Sequence, residues 1–120
     1  RKGSTQLGWE DENHPLPDGN WPIYSASPLP YFPDSQTPIE LSEADMALIV
    51  AEFVRSTQLA AAAGFDMLEL HMAHGYLLAS FISPLTNRRD DAYGGEIAGR
   101  MRFPLELTRA VRAAWPAHRP

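Results

Sequence analysis

The sequence predicts an α/β fold on three observations. A short apolar run over residues 65–70 follows Gly64, a helix-stopping residue, and leads directly into His71, His74 and Tyr76. One amphipathic helix precedes this run, and another follows it after a loop rich in Pro, Asn, Arg and Asp. In α/β folds, chemistry collects at the carboxyl ends of parallel strands, so imidazoles and a phenol just beyond a strand fit that layout. One strand makes no sheet, and two helices cannot cover it alone, so the predicted unit is a piece of a larger assembly.

Taken in order, residues 1–40 form an irregular excursion. Seven of the eleven prolines lie between Pro15 and Pro38, which blocks a long helix or a central strand. Trp9, Trp21, Ile23, Tyr24, Leu29, Tyr31 and Phe32 are too apolar for a free linker, so the excursion is expected to pack. A helix is predicted over 42–63. Ser42 is its N-cap, with Asp45 three residues on as the return partner and Leu41 and Met46 as a hydrophobic staple. Met46, Ile49, Val50, Phe53, Val54, Thr57 and Ala60–Ala61 form its apolar stripe, and Gly64 is a natural C′ residue.

A strand is predicted over 65–71, with Leu68 and Leu70 on one face and Met67, Glu69 and His71 on the other. A long loop over 72–95 closes on the Tyr93-Gly94-Gly95 turn. The last helix is predicted over 96–115, stopped by Pro116. Met101, Leu105, Thr108, Val111 and Trp115 form one side, widened by Phe103, Leu107, Ala110 and Ala114. Pro104 is expected to kink its first turns.

Composition removes several function classes. A net charge of −5 and a pI near 5.2 leave no basic footprint for nucleic acid, and Arg88-Arg89 sit beside Asp90 and Asp91. No apolar run approaches the roughly 20 residues needed to span a bilayer, and no signal-peptide pattern occurs. The lack of cysteine excludes a disulfide framework and fits a reducing cytoplasm. No GxGxxG or Walker loop supports a nucleotide-binding reading.

His71 and His74 are the candidate substrate-binding pair. Two imidazole N–H donors converging on one oxygen would polarise a carbonyl and stabilise the enolate formed as hydride adds to the β-carbon. Tyr76 is the candidate catalytic proton donor, since a phenol keeps its proton at neutral pH and can pass it to the α-carbon. A zinc site built on the same histidines with His14 or Glu69 is the weaker alternative. The spacing is not HExxH and no cysteine helps, so no metal is expected. The Asn87–Asp91 run reads as a loop's own ion-pair scaffold, with an anion grip by arginine as the other option.

The run HMAHGYLLASFISPLTNRRDDAYGG, residues 71–95, resembles the signature of the old yellow enzyme family. The resemblance implies FMN-dependent NAD(P)H oxidoreductase chemistry of the ene-reductase type on a (β/α)8 TIM barrel. The chain would then be the segment from the loop after strand 3 through helix 4, its opening Arg1-Lys2-Gly3-Ser4 matching the tail of strand 3. In such a barrel Glu69 would be a partly buried carboxylate in need of a partner. The resemblance implies FMN as cofactor and NADH or NADPH as reductant. It gives the histidine pair the carbonyl oxygen and Tyr76 the proton; no residue is assigned to FMN. The run GNWPIYSASPLPYFP, residues 19–33, is most similar to one branch, the reductase half of salicylyl-CoA or 2-aminobenzoyl-CoA hydroxylases. That branch implies an enone or an aromatic acyl-CoA as substrate, while the segment alone is expected to be inactive. The sequence departs from the family at residues 96–99, where EIAG replaces a Ser-Leu-Glu-Asn pattern and removes a capping serine.

Overall fold

The structure, a computed structural model, describes residues 15–120. The expectations that fall on residues 1–4, Trp9 and His14 lie outside the described residues. Two short strands, β1 (Tyr24–Ser25) and β2 (Ile39–Glu40), pair in parallel with Tyr24 opposite Ile39. The stretch from Tyr24 to Glu40 is therefore pinned at both ends, so the excursion is not wholly irregular. Its prolines restrict each strand to two residues but leave the rungs Ile39 N–H to Ile23 O and Leu41 N–H to Ser25 O intact.

Helix α1 spans Glu43–Ala62. The Ser42 hydroxyl accepts from Asp45 N–H at 3.1 Å while the Asp45 carboxylate accepts from Ser42 N–H at 3.0 Å, a reciprocal capping box. At the other end Phe65 N–H bonds Ala60 O and Gly64 N–H bonds Ala61 O. With Gly64 at φ 88°, this is a Schellman ending. Both ends satisfy backbone groups that a helix otherwise leaves open.

Residues 65–71 do not form the predicted strand. A strand exists through hydrogen bonds to a neighbour, and among the described residues nothing pairs with this run. The alternation persists all the same. Leu68, Leu70 and Met72 are half-buried against the core, whereas Met67, Glu69 and His71 are exposed.

The long loop over 72–95 is broken by a further helix, α2 (Leu77–Ile82). Leu78 and Phe81 seat it in the core, and Ser83 ends it in an extended conformation that the following Pro84 enforces. The last predicted helix divides into α3 (Ile97–Arg100) and α4 (Arg102–Ala114) at Met101. Pro104 has no N–H to return to Arg100 O, so the ladder lapses there and Pro104 falls in the first turn of α4, where a donor is dispensable. The buried face of α4 is Phe103, Leu107 and Val111, continued by Trp115, while Leu105 is 40% exposed. Of the face expected for this helix, Leu105 alone is exposed, and Met101, Thr108, Ala110 and Ala114 are half-buried.

The core joins Ala26, Leu41, Met46, Leu78, Phe81, Phe103, Leu107 and Val111, with α1 lying against α4. Phe81 and Phe103 meet at 4.7 Å between ring centroids, and burying each ring is worth about 1.5–3 kcal/mol. Among the described residues no helix is long and apolar enough to cross a membrane.

Candidate active site

Residues 71–76 turn a sharp corner between the alternating run and α2. His74 has φ 54° and Gly75 has φ 68°. His74 is the only non-glycine residue with positive φ among the described residues. Left-handed backbone costs a side-chain-bearing residue roughly 1–2 kcal/mol, and such strain concentrates where a side chain must be aimed.

The corner gathers the three candidate side chains. His74 Nδ1 lies 3.3 Å from His71 Nε2, one hydrogen bond whose direction depends on tautomer. The His71 ring centroid is 5.1 Å from that of His74 and 5.3 Å from that of Tyr76. All three residues are exposed, Tyr76 by 42%. In this arrangement the two nitrogens serve each other, one donating and one accepting, so an oxygen held by both rings would take the place of this bond. Tyr76 is the N-cap of α2 and so is held by the helix that Leu78 and Phe81 anchor.

The support beneath the corner is polar and long-range. The Ser80 hydroxyl accepts from Ala26 N–H at 3.1 Å and donates to Leu77 O at 2.6 Å. The Ser27 hydroxyl accepts from Arg88 N–H at 2.8 Å. Asn87 donates to Phe81 O and Tyr93 O, each at 2.8 Å. Buried Arg89 donates through Nη1 to Ala26 O at 3.1 Å and Leu41 O at 2.8 Å, and grips Asp91 through Nε and Nη2. The guanidinium holds the Asp91 carboxyl below the usual carboxylate range, and the Asp91 hydrogen bonds raise Arg89 in turn. Arg89 is committed to the scaffold rather than to a ligand, whereas the Arg88 side chain is exposed.

Two glycines make the turn beyond this scaffold possible. A Cβ on Gly94 would lie 2.0 Å from Arg89 O, and one on Gly99 would lie 2.1 Å from Gly94 O. Gly99 belongs to the EIAG departure, and Glu96 before it caps α3 with no side-chain bond. The four-residue helix is held by its backbone and by Arg100, which donates to Ile82 O and Gly95 O.

The three residues singled out in the sequence lie together at the corner, whereas Ser27, Ser80 and Gly99 were missed because their partners lie in other segments or in backbone packing. Sequence reasoning also missed an open groove of about 370 Å³ along Tyr76, walled by residues 23–38 on one side and 75–86 on the other. Among the described residues no three His, Asp or Glu side chains converge as metal ligands.

A family description, NADH:flavin oxidoreductase / NADH oxidase, matches residues 8–119. The chain belongs to this family. Its members are oxidoreductases that work with FMN and with NADH or NADPH, and the old yellow enzyme resemblance holds at this level. An NADPH dehydrogenase of Bacillus licheniformis is 43% identical over 93 residues, covering 78% of this chain and 27% of the relative. A metal reductase of Desulforamulus reducens is 46% identical over 93 residues, 14% of its length. Morphinone reductase, solved in complex with tetrahydroNAD, superposes with a TM-score of 0.74 at 34% identity, covering 82% of this chain and 31% of that one. The chain therefore spans under a third of the relatives it matches, and its fold is that of a segment of a (β/α)8 TIM barrel.

The donor set suits the substrate side of a flavin site. Two imidazoles and a phenol on one open face fit a carbonyl oxygen and an adjacent carbon. No described side chain is assigned to FMN itself.

Proposed function

We propose that this segment supplies the substrate-binding and proton-donating corner of an FMN-dependent NAD(P)H oxidoreductase of the ene-reductase type. The observation that carries the reading is the left-handed turn at His74-Gly75, with the His74 and Tyr76 rings 5.1 and 5.3 Å from that of His71 on an exposed face. FMN, when bound, supplies the hydride that adds to the β-carbon of an activated alkene. His71 and His74 hold the carbonyl oxygen and stabilise the enolate that develops on it. Tyr76 Oη gives its proton to the α-carbon, so the C=C bond becomes a single bond.

The substrate is proposed to be an enone or an aromatic acyl-CoA derivative. The acyl-CoA option rests on residues 19–33 and their likeness to the reductase half of salicylyl-CoA or 2-aminobenzoyl-CoA hydroxylases. A cytoplasmic setting is part of the proposal, supported by the cysteine-free composition. The segment by itself is taken to be inactive, because the flavin needs the rest of the barrel.

The test uses the complete FMN-loaded flavoprotein and a phenol, whose phenolate mimics the enolate charge. Binding over the flavin should produce a long-wavelength charge-transfer band. His71→Ala and His74→Ala should each weaken that binding by about 1–3 kcal/mol while FMN stays bound. Tyr76→Phe should leave flavin reduction by NAD(P)H intact and slow alkene reduction about 10²–10⁴-fold. Unchanged phenol titrations in both histidine variants, with activity abolished by chelator, would favour the metal reading instead.

A further inference from the structure

We propose that Ser80 is a positioning residue for the proton transfer, a junction that aims Tyr76 by joining the first turn of α2 to the chain just after β1. The proposal rests on the active-site reading above, because Ser80 matters to the reaction only through Tyr76 as proton donor.

Four hydrogen bonds meet at this residue. Ser80 N–H donates to Tyr76 O at 2.8 Å, and the Ser80 hydroxyl donates to Leu77 O at 2.6 Å. The same hydroxyl accepts from Ala26 N–H at 3.1 Å, and Ser80 O accepts from Thr86 Oγ1 at 2.9 Å. A backbone N–H can only donate, so the single proton of the hydroxyl is committed to Leu77 O. The chain from Ala26 N–H through Ser80 Oγ to Leu77 O thus runs in one direction, each bond polarising the next.

Tyr76 depends on this junction more than on its own packing. Its ring is 42% exposed and meets the His71 ring at 5.3 Å between centroids, so the backbone on either side does much of the aiming. Tyr76 N–H is held by Ala73 O, Tyr76 O by Ser80 N–H, and the next carbonyl by the Ser80 hydroxyl. Ala26 is fully buried and Ser80 is 4% exposed, so Ala26 N–H finds no water if the hydroxyl is removed. One side must then shift. Arg89 grips Ala26 O and the Ser27 hydroxyl takes Arg88 N–H, which anchors the Ala26 side. The shift therefore falls on the first turn of α2 and on Tyr76. A displacement of about 1 Å is enough to slow a positioned proton transfer by about 10²-fold.

The experiment uses the complete FMN-loaded flavoprotein with cyclohexenone as the alkene. Ser80→Ala should slow alkene reduction about 10–100-fold, while flavin reduction by NAD(P)H and phenol affinity stay within about twofold. In a Tyr76→Phe background the same substitution should slow the reaction no further, since groups that act as a unit are not additive. Ser80→Thr keeps a hydroxyl that can reach the carbonyl one turn back and should restore most of the rate. An unchanged rate in Ser80→Ala, an equal slowing on top of Tyr76→Phe, or a parallel loss of FMN or phenol binding overturns the positioning role. So does a Ser80→Thr protein as slow as Ser80→Ala. If Tyr76→Phe alone works at the wild-type rate, the proton-donor reading falls and the Ser80 role falls with it. If Tyr76→Phe is slow and Ser80→Ala is not, only the Ser80 role falls.

Discussion

Arg89→Met separates a scaffold arginine from a ligand-binding one. Methionine keeps most of the apolar stem but not the guanidinium carbon, which lies over the Phe81 ring 5.9 Å from its centroid. What disappears are two charge-assisted bonds to the carbonyls of Ala26 and Leu41 and the fork on Asp91. Each buried carbonyl left without this donor costs about 1–3 kcal/mol. Removing one partner of a buried ion pair costs about 3–5 kcal/mol. The Asp91 end is about one-third exposed (35%), so solvent recovers part of its share, and a net loss of about 3–5 kcal/mol is expected. For a barrel-sized protein this lowers the melting midpoint by roughly 5–15 °C, read by circular dichroism on the flavin-loaded protein. FMN affinity and phenol titration at low temperature should change little. The pH dependence has a definite sign. Asp91 is depressed in the folded state, so its contribution is full above the ordinary carboxylate value of about 3.9 and is lost as pH falls through the lower folded value. The gap between wild type and Arg89→Met should therefore narrow in strong acid. A melting midpoint within about 2 °C of wild type, together with a lost ligand affinity, would refute the scaffold assignment.

Gly99→Ala should destabilise by about 1–3 kcal/mol, because its Cβ would stand 2.1 Å from a backbone oxygen. Gly95→Ala, at φ 66° with open space around it, should cost only about 1–2 kcal/mol in the same thermal melts. Ser42→Ala should lose about 1 kcal/mol through the broken capping box, and a midpoint unchanged by the substitution would remove that role. His74→Asn should keep both the corner and a donor, since Asn tolerates left-handed backbone. His74→Val should lose phenolate binding and about 1–3 kcal/mol of stability, and equal phenol affinity in the two variants would show that backbone shape does not matter at this position.

What was legible in the sequence was what is encoded locally. Helix α1 announces both its ends, because Ser42, Asp45 and Gly64 act on backbone groups within a few residues of themselves. The alternation of residues 67–72 was legible for the same reason, yet the strand was not, since a strand is completed only by its neighbours. The face of α4 was legible from its periodicity except at Leu105, which lies about 160° around the helix from Leu107's side of the stripe and stays 40% exposed. Nothing in the local pattern marks Ser80 as the partner of Ala26, 54 residues away, or Gly99 as the seat of the Gly94 carbonyl.

The histidine spacing shows how two residues expected to act together can be brought together by a geometry the spacing does not show. On an extended strand, residues three apart point to opposite faces, so His71 and His74 would diverge if the strand simply continued. They meet because the chain turns left-handed at His74 and Gly75, 54° and 68° in φ. Two such residues in succession do not persist unsupported, and the non-glycine one stores strain of about 1–3 kcal/mol. The offset lies immediately downstream, where α2 begins at Leu77 and buries Leu78 and Phe81, each worth about 1.5–3 kcal/mol. The same helix fixes Tyr76 at its N-cap and ties itself to β1 through Ser80. Tyr76, the histidine pair and the groove thus depend on one six-residue helix, and a lesion in its core should disturb all of them together.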